Sequence, residues 1–315
     1  MLKTTIGFRA ATHDDVEFAA AVVTAADPDH PQLAEELLEM WVNTEKGFAV
    51  RRFVAQEDRL DRGWISLVQP CDQPGRPADL NLLIPAAYNH LLPAAIAFGE
   101  AEARKMDAPL LVCGIRVDRV DVVDSLRREG WTEERKERFW RLDLEANAGR
   151  IHDLQSAAQR RLEGTDFVIT TVARLGGEAF LPRLHAVGTA SSADIPRSVE
   201  HIPPTYEAWL AWMQPPSVLP ERIWVAVLQG EPIGYSFLAY QPSEVSTGYT
   251  GVLREHRGKG LARALKLATL VQAIDLGVTA VGTDNDSENA PILHLNEELG
   301  YDEIPGKLAF HRQLS

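Results

Sequence analysis

The segment Arg254-Glu255-His256-Arg257-Gly258-Lys259-Gly260-Leu261-Ala262-Arg263 decides the fold of this 315-residue chain. It follows a strand candidate at 246–253 and leads into a helix that an apolar repeat at 3.6-residue spacing predicts over 260–276. The two glycines allow backbone N–H groups to approach a ligand closely. The first turn of a helix also presents N–H groups that favour anions. The segment therefore predicts a loop that binds the phosphates of a ligand.

The local charge supports this interpretation. Residues 151–315 carry 13 basic side chains, and five of them fall between positions 254 and 266, namely Arg254, Arg257, Lys259, Arg263 and Lys266. The loop does not have the Gly-x-x-x-x-Gly-Lys-Ser/Thr pattern of a Walker A nucleotide site. Nor does it complete the dinucleotide fingerprint, since Arg263 stands where the third glycine is required.

The composition excludes several classes of protein. With 45% hydrophobic and 24% charged residues, the chain is typical of a globular protein. Its net charge of −13 argues against general nucleic-acid binding. No apolar run approaches a membrane span, and the start lacks a secretory pattern. Two cysteines, Cys71 and Cys113, build neither a disulfide framework nor a Cys-rich zinc site. We therefore expect a cytoplasmic protein with no metal, nucleic-acid or membrane partner.

The same order of predicted α and β elements occurs twice in the chain. An offset of 170 residues places Gly130-Trp131 on Gly300-Tyr301, and 108–113 on 278–283. Both halves have the predicted order strand, loop, helix, strand, helix, Gly-aromatic pair, strand. Repetition at a domain-sized spacing indicates duplication. The sequence predicts a mixed sheet with helices in each of two tandem domains, 1–145 and 165–315, joined by a linking helix at 146–164.

The first half has no equivalent of the charged loop. The same offset carries Arg257, Gly258 and Gly260 onto Ala87, Tyr88 and His90, and the stretch from Pro85 to Leu92 contains no Gly, Arg or Lys. Side chains at those positions block a close backbone approach. The first domain is therefore predicted to keep the fold without the phosphate site.

The loop resembles the signature Arg/Gln-x-x-Gly-x-Gly/Ala of the GNAT superfamily of N-acetyltransferases, and the downstream Asn285, Asn289, Asn296 and Leu299-Gly300-Tyr301 resemble its later motif. The resemblance covers 165–315 well and the first half in outline. It implies two tandem GNAT-like acyl-CoA N-acyltransferase domains, of which the second uses acetyl-CoA. The residues it assigns to acetyl-CoA are Val252, Leu253, Arg257, Gly258, Lys259, Gly260, Leu261, Ala262, Arg263, Asn285, Asn289 and Asn296.

The resemblance also implies direct transfer to an amine within a ternary complex. Strand N–H groups near Val252 and Leu253 would bind pantetheine and the thioester carbonyl. The family often uses a Tyr on the last helix as the general acid. The matching residue here is Asn296, which can donate a hydrogen bond but cannot act as a general acid at neutral pH. Asn296 and Tyr249 are the candidate catalytic residues. Other candidates for acid are His256 and Tyr301, and for base Glu244, Glu200 and His201; water is open for both roles.

The acceptor is expected between 190 and 214, where Trp209 and Trp212 are interpreted as core. The resemblance implies an amine on a small molecule or a peptide, without naming it. One alternative is a non-catalytic acyl-CoA-binding sensor or scaffold, and another is a different acyl donor such as succinyl-CoA. A duplicated chain is also expected to form an internal pseudo-dimer and to remain monomeric.

Overall fold

The computed structural model describes residues 4–28, 31–71, 75–195, 203–213 and 218–314. The chain divides into two compact units. The first consists of Met1–Glu137 with Pro305–Ser315, and the second of Arg138–Ile304. The boundary between the units passes through two long strands, since it falls inside Thr132–Asp143 and again inside Asp302–Gln313.

The first unit is built on a six-stranded mixed sheet. In chain order its elements are β1 (Ile6–Ala10), α1 (Val16–Ala26), α2 (Ala34–Thr44), β2 (Phe48–Glu57), β3 (Leu60–Pro70), β4 (Ala78–Leu83), α3 (Leu92–Arg104), β5 (Leu110–Arg116), α4 (Val120–Arg128) and the start of β6 (Thr132–Asp143). The sheet order is β1-β2-β3-β4-β5, followed by the chain's last strand. The β4–β5 pair is parallel, and the pairs from β1 to β4 are antiparallel.

The second unit repeats this plan. After β6 come α5 (Leu144–Leu162), β7 (Phe167–Thr171), α6 (Leu181–Ser192), α7 (Tyr206–Met213), β8 (Ile223–Leu228), β9 (Glu231–Tyr240), β10 (Val245–Val252), α8 (Leu261–Asp275), β11 (Ala280–Asp286), α9 (Ala290–Leu299) and β12 (Asp302–Gln313). Its sheet order is β6-β11-β10-β9-β8-β7, with β10 parallel to β11 and antiparallel to β9. The predicted mixed α/β fold is confirmed, and both units have the same order of elements.

The compact units differ from the predicted division in two places. The predicted linking helix at 146–164 corresponds to α5, whose Leu144 and Ile151 are buried with Leu267 and Leu270 of α8 in a core of the second unit. The final strand leaves the second unit, because Lys307–Gln313 pairs antiparallel with β5 of the first. The C-terminal residues therefore complete the first unit's sheet.

Helix α8 is buried on more of its surface than its sequence predicts. One side packs on the sheet beside Val252, and another packs against α5. Its buried residues are Leu261, Ala264, Leu265, Lys266, Leu267, Ala268, Thr269, Leu270 and Ala273. A helix between a sheet and a second helix has little solvent-exposed face. The charged loop is therefore held at the end of a firmly packed element.

Two further observations concern the described residues as a whole. None of their helices is long and apolar enough to cross a membrane. Within the same ranges, no three His, Cys, Asp or Glu side chains are grouped as metal ligands.

Candidate functional site

The two central strands of the second unit pair only over a short stretch. The β9–β10 ladder extends to Val252↔Gly234, whereas the recorded parallel register between β10 and β11 is Ser246↔Gly282. Beyond that pair β10 continues toward the charged loop without a further recorded partner on β11. We call the opening between residues 247–252 of β10 and the end of β11 the wedge. Backbone groups along it need hydrogen-bond partners that the sheet does not supply.

The alternation of backbone groups along β10 decides which of its N–H groups face the wedge. The N–H of Leu253 donates to the carbonyl oxygen of Ile233 at 2.8 Å, so it points toward β9. Successive residues of an antiparallel strand point to opposite edges, and the N–H of Val252 therefore faces the wedge. The N–H of Leu253 is therefore used within the sheet. Val252 remains as the candidate backbone donor.

The loop after β10 combines two left-handed glycines with a helix start. Gly258 has φ +74° and Gly260 has φ +81°, values that favour glycine. Gly260 is the N-cap of α8 and brings no side-chain hydrogen bond to the first turn. The first N–H groups of α8 are consequently directed out of the helix end, without intrahelical partners. This is the geometry of an anion site at a helix N-terminus.

The guanidinium of Arg257 holds the loop in place. It donates from Nε to the carbonyl oxygen of Val252 at 3.0 Å, from Nη2 to that of Ser191 at 3.2 Å, and from Nη1 to Asp194 Oδ2 at 2.7 Å. Arg254 binds the same Asp194 carboxylate, and these two guanidinium groups hold its pKa below the usual range. Arg257 therefore links the end of β10, the loop and the end of α6.

The remaining basic side chains have different surroundings. Lys259 Nζ lies 3.4 Å from His256 Nδ1 and 5.5 Å from the Phe167 ring centroid. Arg263 Nη1 lies 3.3 Å from Glu298 Oε2. Lys266 was expected among the phosphate-facing charges, but its side chain points into the core and is 1% exposed. The expectation was wrong for Lys266 because α8 is buried on that face.

A buried polar chain connects α8, α9 and β11. Lys266 Nζ donates to Asn296 Oδ1, and Asn296 Nδ2 donates to Asn285 Oδ1 at 2.7 Å. The Lys266 ammonium also lies 4.7 Å from the Tyr301 ring centroid. Asn296 has no exposed surface, so its amide contacts these neighbours and not the wedge. Half-buried Asn285, near the end of β11, is the member of the chain closest to solvent.

Burial changes the acid–base behaviour of Lys266. Desolvation lowers its pKa from the ordinary 10.5 to about 7, and the charge of Asp284 opposes this shift. The side chains that face it from α9, β11 and Tyr301 are otherwise neutral. The folded protein therefore releases a proton near pH 7 that the unfolded chain retains until about pH 10.5.

We expect the free energy of unfolding to rise with pH above about 7, because the unfolded state binds the extra proton between the two pKa values. The slope from this one group is at most about 1.4 kcal/mol per pH unit. Denaturant unfolding of the wild type and of Lys266→Met across this range measures it. The variant lacks the titrating amine and should lack this part of the rise; parallel curves would contradict the burial of a titrating lysine.

Tyr249 lies on the face of β10 that packs against α6. Its phenol oxygen is 2.8 Å from Ser191 Oγ, and Ser191 Oγ donates its single proton to the carbonyl oxygen of Val187 at 2.6 Å. Ser191 must therefore accept from Tyr249. Gly251 makes room for this ring, because a Cβ at Gly251 would overlap the Tyr249 phenol. The Tyr249 proton is thus directed toward α6 in this conformation.

The other sequence candidates lie in different parts of the second unit. The Glu244 carboxylate lies against Gly282, where β10 and β11 pair. Trp209 is buried with Tyr235 in a core cluster, in agreement with its interpretation as core. Asn289 is the N-cap residue of α9. Glu200, His201 and the side chain of Trp212 lie outside the described residues.

A cavity borders the loop on the side of α6. Its volume is about 450 Å³, and Val187, Ala190, Leu253 and Glu255 contribute to its wall together with the Asp194–Arg254 pair. The apolar wall with a few charged groups at one side is typical of a small-ligand pocket. It adjoins the loop through Leu253 and Arg254.

In the first unit, the loop that corresponds to the charged loop is held by hydrogen bonds within that unit. A 3-10 turn at Ala86–Leu91 runs directly into α3, so the N–H of Leu92 donates to Asn89 O, and a proline follows in the first turn. Arg62 Nη1 donates to the Tyr88 hydroxyl at 3.0 Å, and His90 Nε2 lies 2.7 Å from Glu57 Oε1. The helix start of α3 therefore lacks the outward N–H groups that α8 presents.

Comparison with known proteins gives a family match for part of the second unit. Residues 186–301 match the model described as "Acetyltransferase (GNAT) family". A search of curated proteins found no match.

Solved structures share the fold over nearly the whole chain. A GCN5-related N-acetyltransferase from Sphaerobacter thermophilus has a TM-score of 0.73 at 17% identity, covering 98% of this chain and 96% of that chain. A tandem GNAT protein from the clavulanic acid biosynthesis pathway has a TM-score of 0.71 at 18% identity, covering 99% of both chains. A glucosamine N-acetyltransferase region of a fungal multi-domain β-N-acetylglucosaminidase has a TM-score of 0.75 at 13% identity, covering 99% of this chain and 38% of that chain. At these identities the likeness concerns the fold.

Proposed function

We propose, starting from the GNAT acetyltransferase domain that residues 186–301 form, that this tandem GNAT protein transfers an acetyl group from acetyl-CoA to an amine. The acceptor amine belongs to a small molecule or a peptide, and the second unit carries out the reaction. The observation that supports the proposal most is the loop with two left-handed glycines at the start of α8, directly after the wedge.

The residues of the second unit fit acetyl-CoA. The outward N–H groups at 258–263, with Lys259 nearby, suit the pyrophosphate, because a helix N-terminus favours negative charge. The N–H of Val252 faces the wedge and suits a carbonyl oxygen of the thioester or of pantetheine. Asn285 at the far side of the wedge adds an amide. These residues bind and orient the donor.

The reaction is direct attack by a neutral amine on the thioester carbon. The C–N bond forms as the C–S bond breaks, the amine loses a proton, and the thiolate takes one up. Holding both reactants in one site supplies much of the acceleration. The cavity between α6 and Leu253–Glu255 adjoins the loop and is the space we assign to the acceptor. Tyr249, oriented by Ser191, is the candidate proton-transfer group that lies on this side of β10.

The test is turnover by the full chain. Acetyl-CoA is incubated with polyamines, amino sugars, amino acids and peptide N-termini, while thiol release and product mass are followed. An acetylated amine whose rate depends on both substrates supports the proposal. Binding of acetyl-CoA without transfer to any amine would instead support a non-catalytic sensor, which the complete burial of Asn296 favours. Replacing acetyl-CoA by succinyl-CoA in the same assay measures the preference for the acyl group.

The Arg257 contacts give a prediction for donor binding. Arg257→Ala removes the hydrogen bonds to Val252, Ser191 and Asp194, and we expect the Kd for acetyl-CoA to rise about tenfold, or about 1.4 kcal/mol. Arg254→Ala is the matched control, because it removes the same charge beside Asp194 from a side chain that is 77% exposed. Its Kd should change by less than about threefold. If calorimetric titrations give the same rise in Kd for both variants, then acetyl-CoA binding depends on the positive charge and not on the Arg257 contacts.

A further inference from the structure

Lys266 is a fully buried lysine on a helix that is otherwise packed by apolar side chains. Burying an ammonium group costs several kcal/mol before its interactions are counted, and apolar replacements of buried ionic groups are often neutral or stabilising. Its ammonium group donates to Asn296 and lies over the ring of Tyr301, while the charge of Asp284 favours its protonated form. Stability alone therefore does not account for a lysine at this position.

The hydrogen-bonding character of lysine sets the direction of the whole polar chain. The amine of Lys266 donates to Asn296 Oδ1, and its charged form has no means of accepting. With its Oδ1 turned toward Lys266, Asn296 is left with its Nδ2 to donate to Asn285 Oδ1. With its own oxygen occupied in this way, Asn285 turns its NH₂ group away from α9. Each amide orientation follows from the one before it.

Asn285 lies where that orientation matters. It is three residues beyond Gly282, the last recorded partner of β10 on β11, and its side chain is half-buried. It therefore belongs to the part of β11 that borders the wedge. The pantetheine arm of an acyl-CoA carries amide and thioester carbonyl oxygens, which accept hydrogen bonds and need donors in a site shielded from water.

We propose that Lys266 is a positioning residue, which acts through Asn296 to present the NH₂ group of Asn285 to a carbonyl oxygen of the acyl-CoA arm. The inference rests on the proposed function, since it assumes that the second unit binds acetyl-CoA. Lys266 itself contacts neither substrate nor cofactor. The lowered pKa of Lys266 agrees with its burial and leaves it a donor in either protonation state.

The experiment separates positioning from packing. The variant Lys266→Met/Asn296→Leu replaces the buried polar pair by apolar side chains of similar size, so no buried group of this pair is left unsatisfied. We expect its ligand-free melting temperature to equal or exceed that of the wild type. Its Kd and KM for acetyl-CoA should rise about tenfold with kcat little changed, since one donor to the bound arm is no longer held in place.

Asn285→Ala is the second variant. Because Asn285 is only half-buried, we expect this variant to fold. It should weaken acetyl-CoA binding to the same extent, and combining it with the double variant should add no further loss, because both act on one hydrogen bond. Wild-type affinity for acetyl-CoA in a folded double variant would overturn the inference. If the double variant does not fold, wild-type affinity in Asn285→Ala would overturn it. Either result would leave the proposed function intact. Absence of binding by the wild type itself would instead overturn the proposed function.

Discussion

Gly260→Asp is expected to abolish acetyl-CoA binding while the protein stays folded. Gly260 is the N-cap of α8 at φ +81°, and the outward N–H groups of the first turn lie beside it. An aspartate there is strained by the left-handed backbone, and it places a carboxylate beside those N–H groups. It occupies the anion site from within the chain and repels the pyrophosphate. We expect the Kd to rise at least about 100-fold, or about 2.7 kcal/mol.

Gly277→Asp is the matched control for this prediction. Gly277 follows the other end of the same helix with φ +79°, and nothing lies within 4 Å of a Cβ added there. The substitution introduces the same side chain in the same backbone conformation, but at the negative end of the helix dipole. It should lower the melting temperature without changing acetyl-CoA affinity. Binding by Gly260→Asp within about threefold of the Gly277→Asp value would contradict the assignment of the loop.

The full chain is expected to bind one acetyl-CoA, and Gly260→Asp none. The first unit repeats the fold, yet its helix α3 begins in a continuous turn whose N–H groups have partners, and its loop lacks glycine. Arg62 and Glu57 are engaged with Tyr88 and His90 in the same region. Nothing there matches the left-handed glycines before α8. Calorimetric titration counts the sites directly.

The variant makes the count unambiguous. If the first unit binds acetyl-CoA, the wild type will show two sites and Gly260→Asp will keep one of them. Such a result would overturn the prediction that the first unit has lost its phosphate site. A single site that disappears in Gly260→Asp would assign all donor binding to the second unit.

Local patterns predicted most of the elements near the site. The helix expected over 146–164 is α5 at Leu144–Leu162, and the helix expected over 260–276 is α8 at Leu261–Asp275. These elements have clear periodicity and are bounded by glycine or proline. Helices α1 and α2 were not predicted, although the Thr12–Asp15 capping box that precedes α1 is a start signal present in the sequence.

The contacts made by the site residues were harder to predict from the sequence. Lys266 belongs to a run of basic residues, and its contacts with Asn296 of α9 and with the Tyr301 ring, which depend on the tertiary packing, make it a core residue. Arg257 binds Asp194, 63 positions away, at the end of a helix whose placement depends on the fold. The Leu253 N–H is used by β9 because of strand register. Each of these outcomes depends on which elements meet, which periodicity does not encode.

The pairing of Lys307–Gln313 with β5 has a consequence for biosynthesis. During translation, residues 1–137 emerge long before the strand that completes their sheet, so β5 stays an open edge until residues 307–313 have been synthesised. Open strand edges are sites of aggregation in incompletely folded chains. The second unit, Arg138–Ile304, is a continuous segment and is fully synthesised first. The half that carries the glycine loop can therefore mature before the half that precedes it in the sequence.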